Sequence, residues 1–542
     1  MTSTDLSGDA QRRMIDGRAA EPLRSRRNNW NNQVRRHALT TPDGPALKYA
    51  GKVTTWSELD ARSHAFAAAL HRRGVGFGDR VLLLMLNRSE YVEAIFGANI
   101  LGAIAVPVNI RMAPAEIAFL VADSGAKTVV TETLLAPLAG AVQAAAGLEQ
   151  IIVVGGSESP DHLDYEELLA EGADDLPEID VPEESVALIM YTSGTTGKPK
   201  GAMLTHQNMQ AQAVTCLRVL QTSSDDIGSM VVPMFHIAAI GAMSALFYMG
   251  ALSVIHPLGA FDPDELLDAL EAERTTSIFL VPVQWQAVCA AQQARPRDLA
   301  LRIISWGAAP ASDTVLKAMD ATFPQALNVA VFGQTEMSPI TCVLEGKDAL
   351  ARLGSVGKVI PSVTARIVDS AMNDVADGEV GEIVYRGPNL MLGYWQNPEG
   401  TADAFHDGWF HSGDLVRRDS EGFIYVVDRA KDMIISGGEN IYCAEVENVL
   451  YSHPRILEAA VIGRADPKWG EVPVAVVVAN DGGDLTLADL EEHLNANLAR
   501  YKHPKDLVLV AELPRNASGK IVKPALRTSY GSKDAGLADH AV

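Results

Sequence analysis

From residue 79 onward, short apolar runs alternate with stretches of helical spacing. The run "DRVLLLML" (79–86) reads as a buried strand, "SEYVEAIFGANILGA" (89–103) as a helix, and "IAVPVNI" (104–110) as a strand again. The theme returns in "AKTVVTE" (126–132), "SIFLVPV" (277–283) and "LRIISWG" (301–307). Strand–helix alternation on this scale specifies an α/β fold with largely parallel sheets.

The pattern changes after about residue 355. "ARIVDS", "GEIVYRG" and "FIYVVD" are short strands in a glycine-rich setting, which predicts a small β subdomain. After "DRAKD" (428–432) the order is hairpin, helix (444–451), strands (458–463 and 472–479), helix (487–499) and strand (506–511). This is a separate small α/β domain. A chain of 542 residues is too long for one core. The expected organisation is a polar N-terminal tail (1–28), a large domain (29–430), a small mobile C-terminal domain (431–530) and a C-terminal tail (531–542).

The formal net charge of −23 excludes generic attraction to nucleic acid or an anionic membrane. Phosphate binding here needs a focused site. The four cysteines, Cys216, Cys289, Cys342 and Cys443, are far apart and form no CxxC pair. That pattern fits a reducing cytoplasm, without a zinc site or disulfide framework. The N-terminus mixes Arg12, Arg13, Arg24, Arg26 and Arg27 with acidic residues and has no apolar region of the secretory type. The uncharged stretch 237–255, "IAAIGAMSALFYMGALSVI", meets the length rule for a membrane span. Gly250 divides it into a buried helix (237–249) and a buried strand (252–256), neither able to span.

The loop in "YTSGTTGKPKGAMLTH" (191–206) concentrates hydroxyl, glycine and positive charge. It lacks the GxxxxGK[ST] spacing of a P-loop, and Pro199 stands where Ser or Thr would hold magnesium. "SVALIMY" before it and "GAMLT" after it both read as strands, so the loop is a strand–loop–strand device. Its glycines let backbone N–H groups approach an anion, its threonines and Ser193 donate, and Lys198 and Lys200 carry charge. A P-loop ATPase or nucleotide sensor is disfavoured on the same grounds.

Five further segments follow in order: "WGAAP" (306–310), "VFGQTE" (331–336), "WFHSGDL" (409–415), "VVDRAKDMIISGGENI" (426–441) and "LPRNASGK" (513–520). With "YTSGTTGKPKG" they resemble the signature motifs of the adenylate-forming superfamily. That superfamily includes acyl-CoA synthetases, firefly luciferase and the adenylation domains of peptide synthetases. The resemblance covers nearly the whole chain and extends to fatty-acid–CoA ligases of actinobacteria. It implies ATP, Mg²⁺ and coenzyme A as partners and a fold whose small domain turns between two half-reactions.

Carried residue by residue, the resemblance assigns ATP binding to Thr192, Ser193, Gly194, Thr195, Thr196, Lys198, Ala308, Ala309, Phe332, Gly333, Thr335, Asp414, Arg429 and Lys520. Glu336 is the implied magnesium ligand. Phe332 stands against adenine, where the family often has Tyr, and Asp414 accepts from the ribose hydroxyls. Lys520, with Thr335 and His236, makes up the implied catalytic set. Lys431 marks the implied hinge. Ser436, Gly437, Gly438 and Glu439 line the implied coenzyme A channel.

The acyl pocket is assigned to His236, Ala238, Ala239, Gly241, Ala242, Trp285, Gly307 and Ala308. Amino-acid-activating relatives usually carry Asp where this chain has His236, and an unpaired buried ammonium is costly, so amino acids are disfavoured. Small apolar side chains leave volume for an alkyl chain, buried at about 0.8 kcal/mol per methylene. The sequence therefore points to a medium- to long-chain fatty acid–CoA ligase. An aryl or cinnamate-type acid is the alternative, as is a fatty acyl-AMP ligase serving a carrier protein. A luciferase-like oxygenase shares every motif. The composition leaves room for a homodimer and for peripheral membrane contact.

Overall fold

A computed structural model describes residues 27–192, 199–309, 311–437, 439–480, 484–515 and 520–532. The chain divides into two compact units. The first runs to Leu353 and takes in Val359–Val363 and Gly387–Asp403; the second holds Gly354–Lys358, Thr364–Arg386 and the chain from Ala404 onward.

The first unit is built on two sheets. One has eight strands in the order Gly393–Tyr394, Lys200–Thr205, Val186–Thr192, Ile104–Pro107, Arg80–Leu84, Thr128–Glu132, Gln150–Val154 and Leu163–Asp164. Its strands are parallel except at the 186–205 hairpin and the short 393–394 edge. Val81, Leu82, Leu83 and Leu84 are all essentially inaccessible, as strands covered on both faces must be. In the other sheet the strands Leu327–Gly333, Ile303–Gly307, Ser277–Leu280, Ile227–Met230, Leu252–Ile255 and Pro45–Tyr49 lie side by side and parallel. Antiparallel strands Ile340–Leu344 and Lys52–Thr55 flank them. Helices start where the sequence supplies a cap: Thr55 with Glu58, and Thr205 with Asn208, form reciprocal capping boxes.

The stretch 237–255 is a 13-residue helix, Ile237–Met249, ended by left-handed Gly250, then the strand Leu252–Ile255. Among the described residues no helix is long and apolar enough to cross a membrane.

In the second unit an antiparallel sheet runs Thr364–Val368, Val380–Arg386, Trp409–Arg418, Ile424–Arg429 and Ser355–Val359. A further sheet pairs Ile434–Ser436 with Glu439–Ile441 and Gly470–Ala479, which carries Ile456–Asp466 on one side and Asp506–Leu509 on the other. Helices Cys443–Tyr451 and Leu487–Asn497 cover one face through Val446, Leu450, Leu490 and Leu494. Helix Lys523–Tyr530 covers the other through Leu526. Contacts thus group the β-rich segment with the C-terminal region. All four cysteines are buried thiols, none in a disulfide; burial pushes the Cys216 thiol up to about 12 and also raises those of Cys289 and Cys443.

Asp226, 3% exposed, opens the strand Ile227–Met230 and is gripped by Arg302 at 2.5 Å and by the Thr276 hydroxyl at 2.7 Å. Burial pushes this carboxyl up, but the bonds from Arg302, Thr276 and the Ser223 backbone outweigh it and hold it below its ordinary value. A depressed carboxyl pKa adds stability above the ordinary carboxylate range, and that stability is lost as pH falls through the folded value. Arg302→Met should therefore cost about 1–3 kcal/mol at neutral pH. Urea titration should show the deficit shrinking below about pH 4, where the carboxyl protonates.

Candidate active site

The phosphate-loop hairpin forms as its sequence requires: Val186–Thr192 and Lys200–Thr205 pair antiparallel, with Thr192 opposite Lys200. Ser193, Gly194, Thr195, Thr196 and Lys198 lie outside the described residues. The hairpin base is anchored from several sides. Tyr191 donates its hydroxyl to Asp123 at 2.6 Å, the Trp395 indole donates to the Asp123 carbonyl, and the Trp395 amide donates to the Gly201 carbonyl.

The segment 389–395 links the hairpin to the second motif. Its residues 393–394 pair with the hairpin strand, and the Met391 amide donates to the Glu336 carbonyl. The Asn389 side chain donates to the Met337 and Ile340 carbonyls at 2.7 and 3.0 Å. Tyr394 then donates its hydroxyl to Glu336 Oε1 at 2.9 Å, while Lys200 Nζ lies 5.0 Å from the centre of the Tyr394 ring. Lys200, Tyr394 and Glu336 therefore converge at the base of the phosphate loop.

Glu336 sits in the single turn Thr335–Met337 that follows the strand Leu327–Gly333. The chain crosses closely at the end of this strand, so that only glycine fits: a Cβ on Gly333 would lie 1.9 Å from the Pro339 carbonyl oxygen. Phe332 and Thr335 are half-buried, and Gly333 is exposed. Glu336 is 8% exposed and aligned by Tyr394, an oxygen donor of the kind magnesium takes alongside retained waters. Among the described residues no cluster of three or more His, Cys, Asp and Glu side chains could hold a metal.

Ala308 and Ala309 are exposed at the end of the strand Ile303–Gly307. Ala308 has φ +65°, a left-handed conformation that is costly for a residue with a Cβ. Gly307 is buried, and a Cβ there would lie 2.3 Å from the Val331 carbonyl oxygen; its smallness serves strand packing. Trp285 belongs to the packed core. It is fully buried, donates to the Ser305 carbonyl at 3.0 Å, and meets Phe323 edge-on. Ala239 is also fully buried, and Gly241 packs against Pro339. Ala238 and Ala242 keep some exposure. His236 precedes the helix, half-buried, with its ring against Phe235.

In the second unit Asp414, 4% exposed, pairs with Arg429 at 2.7 Å across neighbouring strands. Lys431 follows on a bend; burial is the main influence lowering its pKa, against the opposing Asp432 charge. Arg527 reaches the Asp432 carboxylate at 2.8 Å, and the half-buried Lys523 pairs with Glu447 at 2.8 Å. Lys520 is exposed just ahead of the helix Lys523–Tyr530. Ser436, Gly437 and Glu439 border a groove of about 680 Å³. Gly438 lies outside the described residues. Gly437 (φ +62°) lies against the Trp469 ring, where a Cβ would come within 2.7 Å. Arg500, Tyr501, His503 and Lys505 line one side and Leu487, Glu491 and Leu494 of the helix Leu487–Asn497 another, and Trp469 and Tyr501 are 46% and 43% exposed.

Sequence reasoning missed Tyr394, Asn389 and Trp395, and in the groove Trp469, Arg500, Tyr501 and Lys505. The first group sits in "NLMLGYW" (389–395), a glycine–aromatic run between two predicted strands. The second includes "RYKHPK" (500–505), whose cations surround one aromatic.

The family match and the relatives below make this chain an AMP-forming acid–thiol ligase. Residues 34–395 match the AMP-binding enzyme family and residues 445–520 its C-terminal domain, and the chain belongs to that family. It is 40% identical over 503 residues to a feruloyl-CoA synthase of Amycolatopsis sp., covering 92% of this chain and 98% of the relative. It is 35% identical over 482 residues to the long-chain-fatty-acid–CoA ligase FadD13 of Mycobacterium tuberculosis, covering 88% and 93%. The o-succinylbenzoate coenzyme A synthetase of Bacillus subtilis, solved with ATP and a magnesium ion, superposes with a TM-score of 0.82. It shares 31% identity over 92% of this chain and 99% of its own.

Tyr394→Phe removes one hydrogen bond from Glu336 and leaves the ring in place. It should weaken Mg²⁺-ATP binding roughly threefold to tenfold, as the loss of one bond of about 1 kcal/mol implies. Calorimetric titration with Mg²⁺-ATP checks this.

Proposed function

We propose that this ligase activates a compact aromatic acid of the arylpropenoate type and transfers it to coenzyme A. The observation that carries the reading is the helix Ile237–Met249, whose Ala242 lies near Ile303 and Ser305 of the strand that ends before Ala308. The open row of the helix Ile237–Met249 bears only the small side chains Ala238 and Ala242, and the aromatic pair Phe235–His236 stands at its head. A flat ring fits such a slot and gains from edge or offset contact with the pair. The 40% identity to a feruloyl-CoA synthase supports it. The fatty acid expected from the sequence is the second reading, favoured by the 35% identity to a long-chain ligase. A carrier protein in place of coenzyme A is the remaining alternative.

In the first step a carboxylate oxygen bonds to the α-phosphorus of ATP and pyrophosphate leaves. In the second a thiolate sulfur bonds to the acyl carbon and AMP leaves. The 192–200 loop and Lys200 hold the β- and γ-phosphates. Glu336, set by Tyr394, holds magnesium, which supplies charge neutralisation at the phosphates. Thr335 donates to the α-phosphate. Phe332 and Ala308–Ala309 border the adenine, and Asp414, fixed by Arg429, accepts from the ribose hydroxyls. Lys520 neutralises charge as the carboxylate meets the α-phosphate. His236 contributes to the acyl pocket. Lys431 is the hinge between the domain limits 29–430 and 431–530, absorbing the backbone change as the small domain turns. The groove beside Ser436 and Gly437, with Trp469, Tyr501, Arg500 and Lys505, suits the nucleotide end of coenzyme A. An aromatic face takes adenine, and the cations take phosphate. The four buried thiols accord with a reducing cytoplasm.

Pyrophosphate release should peak with ferulate or cinnamate and require coenzyme A for sustained turnover, in a panel running from acetate to stearate with several amino acids. A peak at stearate would replace the aromatic reading with the fatty one. Release that stops after one equivalent, with or without coenzyme A, would point to a carrier protein. Lys520→Ala should slow adenylation by about 10²–10³-fold, as loss of a group that stabilises transition-state charge does. It should largely spare thioester formation from supplied acyl-AMP; equal loss of both steps would refute that division of labour.

A further inference from the structure

From Ile237 to Phe247 every residue is buried except Ala238 and Ala242. These two are a helical turn apart and share one face; the next position in the row is Leu246, 4% exposed. The row runs alongside three parallel strands, Ile227–Met230, Ser277–Leu280 and Ile303–Gly307. Ala308 follows the last of these, at the carboxyl ends where open α/β sheets bind their ligands. Leu246 stands at the opposite, amino-terminal end. Its side chain fills the hollow over Gly228, where an added Cβ would lie 2.2 Å from Leu246 Cδ1. Between Ala242 and Leu246 the helix and strands leave a gap of about 30 Å³, bordered by the apolar Leu220, Met230 and Phe279 and by the polar Thr222, Asp226, Ser229 and Ser305. That holds about one water molecule.

We infer that Leu246, seated on Gly228, is the floor of the acyl pocket and sets the longest acid the enzyme accepts. The inference rests on the pocket lying along this helix, as in the proposed function, and adds its limit. From Ala238 to Leu246 the helix rises about 12 Å. This accommodates an arylpropenoate with its ring substituents or an alkyl acid of medium length. Ser305 and Ser277 at the gap already use or border backbone polar groups of the sheet, with the Ser305 hydroxyl donating to the Ile278 carbonyl at 3.1 Å. Among the side chains at this end Leu246 is the one that comes from the same helix row as Ala238 and Ala242. Removing it joins the gap and the Gly228 hollow to the slot, whereas enlarging Ala242 closes the slot one turn earlier.

The test measures kcat/KM for straight-chain acids of increasing length, and for ferulate, with wild type, Leu246→Ala and Ala242→Leu. Leu246→Ala should extend the cutoff, raising kcat/KM for the first acid beyond the wild-type limit by roughly tenfold or more, the scale of one methylene in an apolar pocket. Ala242→Leu should shorten it by a comparable factor and reject ferulate. An unchanged cutoff in both variants would overturn the inference, as would a wild type that takes the longest acids as readily as medium ones. If Leu246→Ala fails to fold, Ala242→Leu decides: a shortened cutoff supports the floor and an unchanged one removes it. If ferulate is not a substrate of wild type and the straight-chain cutoff still moves, the aromatic reading falls while the floor stands.

Discussion

The hydrogen bond from Tyr394 to Glu336 joins residues 58 positions apart, and it ties the turn 335–337 to the edge of the 186–205 hairpin. A lone carboxylate on a one-turn helix has little to fix its direction. Here its side chain is aimed by a phenol whose own ring lies under Lys200, and its backbone carbonyl is held by Met391. The segment carrying Tyr394 is in turn an edge strand on the phosphate hairpin. The cation, the carboxylate and the hairpin thus take their positions from one short piece of chain, so that the site is preorganised by backbone pairing rather than by side-chain packing alone.

The second unit uses the same economy. Asp414 and Arg429 face each other because their strands pair in that register, and the pairing continues to the bend at Lys431. Beyond the bend, Asp432 is tied to Arg527 and accepts from the Cys443 thiol through its carbonyl. Glu447 caps the Val461 amide while pairing with Lys523. Helices from both faces of the C-terminal sheet are therefore anchored to the residues flanking Lys431.

Much of this was legible in the chain. Parallel strands buried on both faces appear as unbroken apolar runs, and those at 80–84, 104–107, 128–132, 277–280 and 303–307 lie where such runs predict them. The 186–205 hairpin and the helix–strand division at Gly250 were equally readable, because glycine and turn chemistry are local. What the sequence hid was direction and distance. Trp285 and Ala239 carry the right side chains for a pocket, but nothing in their composition tells which side of an element they face. Tyr394 is remote from Glu336 in sequence and meets it only through the sheet edge. The groove beside Trp469 gathers residues from a strand, a helix and the 500–505 turn, and no single motif contains them.

The four cysteines bear on a hazard particular to this chemistry. An acyl-adenylate is an electrophile made to be attacked by a thiol, and any exposed thiolate of the protein would compete with coenzyme A for it. Every cysteine here is buried, and burial raises the thiols of Cys216, Cys289 and Cys443 away from ionisation. The protein manufactures a thiol-seeking reagent while keeping its own sulfur out of reach, so the incoming substrate meets no rival nucleophile of its own kind.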